Sequence, residues 1–432
     1  MEQAGGGRAA STWAKRMAVR LRRVLGSLGP GVITGAADDD PSGIATYSVA
    51  GAQLGTSLLW TAILTWPLMA AVQMMCARIG MVTGEGLAGA LCKRFPKPLV
   101  VAASVALLIA NTINIAADLS GMADAGEMLT GLNSHLLVAV FGIAIAAATV
   151  YLRYYQIAAI LKWLALVLGA YAITAFLVHP HWSAVLHDTF VPNIPPGRTT
   201  WATLVAILGT TISPYLFFWQ ASQEVEEETA KGRRMKILRD GASRRDIADR
   251  KMDIGIGTFS SNAAMFFIIL TTALTLHAHG LTKIESSRQA AEALQPLAGR
   301  FAATLFTLGI LGVGFLAIPT LAGSAAYAFA ETFSWRQGIN ERFRGASRFY
   351  LVLLLSTGAG IALDYAHVNP IQALFWTAVV NGVLAPFLMV GILIVASDRK
   401  IMRGQPSSLL GRATVGLATL LMFLATIGMF VF

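Results

Sequence analysis

Asp38-Asp39-Asp40-Pro41-Ser42-Gly43 decides how this chain is read. Three acidic residues, a proline and a glycine interrupt an apolar stretch that runs from about Leu28 to Gly55. A charged side chain at the centre of a bilayer costs roughly 2.5–3.5 kcal/mol or more. Pro41 removes a backbone donor and clashes with the preceding turn, and Gly43 permits backbone shapes that other residues resist. The stretch predicts a membrane helix broken midway, with carbonyls and carboxylates turned to a buried polar cavity. The competing reading puts the acids outside the membrane and starts the apolar run at Ile44. It leaves Leu28 to Ala37, itself apolar, without a role.

Outward from this stretch the composition agrees. Of 432 residues, 55% are hydrophobic and 13% charged, where soluble domains carry about 25% charged residues. The chain reads as an all-α polytopic membrane protein. Cys76 and Cys92 have neither metal spacing nor a disulfide framework. There is no nucleophile elbow, phosphate loop or His-rich metal motif, so no enzyme and no cofactor is expected. No apolar stretch ending in a cleavage site follows the basic N-terminus, so no removable signal peptide is expected. Residues 1–27 read as a cytoplasmic tail, with a short amphipathic helix from Trp13 to Leu25.

At about 20 residues per crossing, eleven segments can span: 28–55, 58–79, 99–122, 136–152, 156–178, 201–224, 253–277, 301–329, 349–364, 370–396 and 411–432. With the N-terminus inside, 28 of the 33 Lys and Arg residues fall on the cytoplasmic side. Only Arg198, Lys283, Arg288 and Arg300 fall outside, and Lys162 lies within the fifth segment. This is the positive-inside asymmetry. It places the chain in the cell (inner) membrane with a cytoplasmic N-terminus and Phe432 outside. It also accounts for the sequence pI near 9.8 through anionic lipid rather than nucleic acid. The most charged loop, Glu226 to Lys251, reads as a solvated cytoplasmic helix, with an acidic funnel at the inner mouth as the alternative. Outside, His179, His181, His187 and Asp188 have no recognised metal spacing, and His277 and His279 read as interfacial.

A second interruption, Gly209-Thr210-Thr211-Ile212-Ser213-Pro214-Tyr215, falls in the sixth segment, five after the first. Paired broken helices in two halves point to an inverted-repeat transporter. Residues 28–178 form the first repeat, 201–396 the second and 411–432 an added helix. The breaks offer carboxylates, carbonyls and the Thr210, Thr211 and Ser213 hydroxyls. They hold no basic, Cys, Met or His residue. Oxygen ligands with a carboxylate suit a hard cation. The small residues Gly43 and Ser213 leave room for a partly hydrated ion, which leans towards Mg²⁺ without excluding Ca²⁺ or Mn²⁺.

Other polar residues lie inside spans. Asn111, Asn114 and Asn262 are expected to join helices by hydrogen bonds. Gln372 and Asn381 are placed facing the cavity, and Gln220 and Gln223 along the inner exit. Asp118 is ionisable at depth, hence a functional candidate. Asp38 and Asp39 point to other helix faces than Asp40. One is expected to shape the entrance field and the other to pair with a helix N-terminus.

Asp40-Pro41-Ser42-Gly43, preceded by Gly29-Pro30-Gly31, resembles the first helix of the Nramp family of divalent-metal transporters, whose motif reads Asp-Pro-Gly-Asn. Gly209 to Tyr215 resembles that family's Gly-Ala-Thr-Val-Met-Pro-His, and Ala117-Asp118-Leu119-Ser120 its Thr-Asp-Leu-Ala. The likeness covers about residues 29–397 and implies a leucine-transporter-type 5+5 inverted repeat with helices 1 and 6 broken. By resemblance Asp40 is the metal-binding carboxylate, and Asp118 the retained third-helix acid. Gly43 stands where the family has its Asn ligand, Ser213 where it has its soft Met, and Thr210 where an Ala carbonyl binds. Tyr215 replaces the His linked to proton movement, and Gly121 a Glu. This pattern resembles the Nramp-related magnesium transporters, in which the ion enters partly hydrated and without a proton.

The expectation is therefore an Mg²⁺ transporter, with Mn²⁺ as a second cargo, working by alternating access without proton coupling. The metal ligands are Asp40, Gly43, Thr210 and Ser213. The pathway candidates are Asp39, Asp118, Tyr215, Gln220, Gln372 and Asn381. The alternatives are a proton-coupled Mn²⁺/Fe²⁺ symporter and a sodium-coupled organic-solute carrier. The expected partners are the lipid bilayer and a divalent metal ion.

Overall fold

The computed structural model describes residues 30–152, 166–232, 241–365 and 368–431. The N-terminal tail, where a helix is expected from Trp13 to Leu25, residues 156–165 of the fifth segment with Lys162, and Phe432 lie outside the described residues.

The first segment is two helices, α1 (Pro30–Asp38) and α2 (Pro41–Leu54). Pro41 opens α2, and Asp40, in extended conformation, caps it by accepting from the Gly43 N–H. Then follow α3 (Trp60–Thr83), α4 (Leu87–Cys92), α5 (Lys97–Thr130), α6 (Ser134–Tyr151), α7 (Gly169–Leu177) and the short α8 (Trp182–Phe190). The sixth segment is again split, into α9 (Arg198–Thr211) and α10 (Pro214–Ala230). Ile212 and Ser213 leave helical geometry between them, and Pro214 sits where α10 has no carbonyl to bond. The chain continues with α11 (Arg244–Thr275), α12 (Ser287–Glu292), α13 (Gln295–Ala298), α14 (Ala302–Thr332), α15 (Ser347–Asp364), α16 (Pro370–Ser397) and α17 (Leu409–Val431).

Nine helical stretches among the described residues are long and apolar enough to cross a membrane. The halves of the first crossing are each too short to count, and the fifth is only partly described. Together these make the eleven expected. The second half of the first crossing, α2, packs on α11 of the seventh, and α10 of the sixth packs on α3 of the second. Exchanging the two five-helix halves carries one contact into the other.

Glycines set the closest approaches. A Cβ on Gly209 would lie 2.1 Å from the Ala378 carbonyl oxygen, and one on Gly382 2.4 Å from that of Val205, so α9 and α16 touch backbone to backbone. Gly209→Ala is expected to force these helices apart and to cost about 1–3 kcal/mol. Gly416→Ala on α17, where nothing lies within 4 Å, is expected to be neutral or to stabilise by up to about 1 kcal/mol. Thermal midpoints of the two purified variants check the contrast.

One boundary differs from its sequence expectation in an informative way. The seventh crossing starts at Arg244 rather than 253, because Ser243 and Asp246 form a reciprocal capping box there. The segment from Arg244 to Lys251 is thus the first part of a long membrane helix.

Candidate metal site

The two breaks meet. A Cβ built on Gly43 would lie 3.1 Å from Thr210 Oγ1 and 3.4 Å from Asp40 Oδ1, so the bare Cα of Gly43 separates the carboxylate of one break from the hydroxyl of the other. Asp40 is 2% exposed. Its Oδ1 accepts from the Gly43 N–H at 2.6 Å, and its Oδ2 accepts from Asn114 Nδ2 on α5 at 3.2 Å. These two donors fix the orientation of the carboxylate. Ser42 Oγ donates to the Leu374 carbonyl at 2.7 Å, fastening the start of α2 to α16.

On the second break Ser213 Oγ lies 2.8 Å from the Gly209 carbonyl and 2.7 Å from that of Thr210. Its proton therefore serves the C-terminal carbonyls of α9, and only its lone pairs remain for another ligand. The carbonyls expected to be freed near Thr210 are in part already occupied. Tyr215 reaches back across the site, and its hydroxyl donates to the Ala37 carbonyl at 2.9 Å, meeting one of the orphan acceptors at the end of α1.

Asp118 is fully buried on α5, one turn from Asn114, and neither carboxylate oxygen has a hydrogen-bond partner. Beyond it, a Cβ on Gly121 would lie 2.8 Å from Leu374 Cδ1. Leucine fills the position from which a longer acidic side chain would have continued the polar face.

The remaining candidates divide. Asp39 is buried beside the site, and Asn381 is buried on α16 next to Gly382. Gln372 does not face the cavity: it is exposed in the first turn of α16, where its N–H is capped by Asn369. Asp38 and Asp39 do not go to a helix N-terminus and to an entrance; both meet Ser261 on α11. The helix N-terminus is capped by Asp40 instead. Gln220 belongs to a separate cluster farther along α10, where its Nε2 donates to Glu224 Oε1 at 2.7 Å. Gln223 Nε2 donates to the Tyr327 hydroxyl. The asparagines do join helices, Asn111 to Leu321 and Ser324 of α14, and Asn262 to Thr65 of α3.

The cluster around Gln220 was not visible in the sequence. Arg250 on α11 pairs with Glu224 at 2.7 Å and with Glu227 and Asp253. Asp253 in turn accepts from the Gly31 N–H in the first turn of α1 at 2.8 Å. One guanidinium thus fastens α10, α11 and α1 together at the Lys- and Arg-rich end. The neighbouring Glu226 accepts from the Tyr327 hydroxyl, the Ile339 N–H and Asn340. The acidic run is therefore neither a solvated face nor an open funnel, because its carboxylates tie helices to one another.

At the opposite end, among the described residues, no three His, Cys, Asp or Glu side chains gather to hold a metal. Asp188 is held below the usual carboxylate range by the Thr56 hydroxyl and by His187. His277 contacts the Ala52 carbonyl.

Comparison with known proteins places this architecture. The family model described as natural resistance-associated macrophage protein-like, Nramp, matches residues 31–432. The chain belongs to the Nramp family. Within it, the chain is 28% identical over 408 residues to the divalent metal cation transporter MntH of Caldanaerobacter subterraneus, covering 90% of this chain and 88% of that protein. It is 29% identical over 315 residues to the MntH of Yersinia pestis, covering 70% and 73%. Among solved structures, the Eremococcus coleocola manganese transporter bound to an aromatic bis-isothiourea compound superposes with a TM-score of 0.74 at 18% identity, over 94% of this chain and 86% of that one. Mhp1, a nucleobase-cation-symport-1 family transporter, superposes with a TM-score of 0.59 at 14% identity, over 93% and 89%. These two likenesses show the fold: an Nramp chain with the broken first and sixth helices of the leucine-transporter type. Like its family, the chain is a multi-pass membrane transporter and not an enzyme.

Proposed function

We propose that this Nramp chain transports Mg²⁺, with Mn²⁺ as a second cargo, by alternating access and without a coupled proton. The divalent-metal part of this reading is supported by family membership and by relatives named as divalent metal cation transporters. The Mg²⁺ part rests on one observation above all, the junction of Asp40, Gly43 and Thr210. It brings a fixed carboxylate and a hydroxyl close together on either side of a residue with no side chain. Mg²⁺ prefers oxygen ligands and keeps several of its waters, and the ligand atoms at this junction are all oxygens. Asp40 is the anchoring ligand, with Thr210 and the lone pairs of Ser213 completing the shell around retained waters. The soft sulfur of the family pattern is here a serine whose proton is turned away.

The proton part rests on Tyr215 and Gly121. The Tyr215 hydroxyl is committed to the Ala37 carbonyl, and the space beyond Asp118 is filled by Leu374. In this reading the N-terminus is cytoplasmic, the C-terminus is outside and the membrane is the inner cell membrane, as the distribution of Lys and Arg supports. Residues 28–178 and 201–396 act as the two repeats that rock about the site.

Uptake of Mg²⁺, Ca²⁺ and Mn²⁺ into proteoliposomes, with and without a pH gradient, tests the reading. Mg²⁺ uptake is expected to proceed at the same rate in both conditions and without acidifying the lumen. Uptake that requires the gradient, or that excludes Mg²⁺, overturns it. Gly43→Ala is a sharper probe. The added methyl crowds Thr210 Oγ1 and Asp40 Oδ1, which penalises a cation that keeps its waters, so Mg²⁺ uptake is expected to fall more than Mn²⁺ uptake in the same assay.

A further inference from the structure

A groove of about 1010 Å³ follows α16, with residues of α5, α9 and α17 in its walls. Phe375 and Phe387 both line it, and they stand about 18 Å apart along the helix axis. One leaflet of a roughly 30 Å hydrocarbon core is about 15 Å deep. The groove thus has the length of one lipid tail. Ile109 of α5 and Phe430 of α17, which also line it, are exposed.

Its polar residues gather at one end. Arg198 opens α9, and Gln53 lies in the last turn of α2. The sixth and tenth crossings run the same way, so this is also the end at which α16 begins. Arg198 is exposed and, among the described residues, forms no ion pair or hydrogen bond. The Gln53 Oε1 is out of solvent and meets no donor. No residue lining the groove is acidic, so a counter-charge for Arg198 has to come from another molecule. A second copy docked through this same face would bring only another Arg198. A molecule with an aliphatic tail, an anion at its head and a hydroxyl beside the anion meets all three needs.

We propose that this groove seats one tail of an anionic phospholipid, with its phosphate on Arg198 and a headgroup hydroxyl donating to Gln53. The lipid braces the first turn of α9, one half of the second broken helix, against α16. The proposal holds whichever cation the chain carries.

Native mass spectrometry of the purified full-length chain tests it, with phosphatidylglycerol and phosphatidylcholine of identical tails offered in equal amounts. The basic end of the bundle attracts anionic lipid in every variant, so the reading is the difference between variants. The wild type is expected to retain one phosphatidylglycerol per chain more than Arg198→Gln does, with an affinity for that last lipid about fivefold higher than for phosphatidylcholine. Arg198 is exposed, so the variant is expected to fold as the wild type does. Val380→Trp, which fills the groove from an exposed position of α16, is expected to lower retention of both lipids. A phosphatidylglycerol count unchanged by Arg198→Gln overturns the proposal, as does retention indifferent to Val380→Trp. A mass of two chains without lipid, lost in Val380→Trp, also overturns it and assigns the face to a second copy.

Discussion

Asp40→Asn is expected to lower Mg²⁺ uptake by about 100-fold or more while leaving the fold intact. Asparagine is as good a helix cap as aspartate, and its side-chain oxygen can still accept from the Gly43 N–H. The cap on α2 therefore survives, and the thermal midpoint should move little. What is lost is the negative charge at the junction of the two breaks. A 100-fold loss corresponds to about 2.8 kcal/mol, a modest figure for removing an anionic ligand from a divalent ion. Asp40→Ala should lose the same transport and, in addition, about 1 kcal/mol of stability from the missing cap. Paired uptake and unfolding measurements separate the two effects. Equal uptake by Asp40→Asn and the wild type would remove Asp40 as the anchor.

Arg250→Ala carries the largest expected cost in stability. The guanidinium is 8% exposed, and two of its three carboxylate partners, Glu224 and Asp253, are fully out of solvent. Removing the cation leaves buried negative charges facing one another, which typically costs about 3–5 kcal/mol. The variant also loosens α10 from α11, because Glu224 and Glu227 lose their shared cation, while Asp253 still accepts from the Gly31 N–H of α1. Unfolding in detergent should occur at a clearly lower temperature. Adding Glu224→Gln to Arg250→Ala should recover part of the loss, since one unpaired charge is gone. Additive losses in the double variant would show that Glu224 and Arg250 do not act as a pair.

The two breaks were legible because each sets a proline and polar residues inside an apolar run, a local pattern that needs no knowledge of partners. The helix count was legible from hydropathy and from the sorting of Lys and Arg. The partners across the site were not. Asn114 reaches Asp40 from 74 residues away, and Ser261 reaches Asp38 from 223. Such contacts depend on which helix faces which, and no periodicity in a nearly all-apolar helix records it. Arg250 was hidden for a related reason. It lies in a run of mixed charge that resembles a solvated loop, and only the capping box at Ser243 betrays a helix extending that far. Gln372 was misplaced although the helix start at 370 was read correctly, because the exposure of a first turn is not written in the sequence. Asn369 caps α16, and Gln372 lies in its exposed first turn rather than at membrane depth.

The central claim is that a divalent cation binds where the two interrupted helices meet, on the Asp40 carboxylate. Crystals grown with Mn²⁺, whose anomalous scattering marks its position, test it most directly. The account predicts an anomalous peak in bonding contact with Asp40 and facing Thr210 across Gly43. A map with strong peaks elsewhere and none at that junction would contradict it.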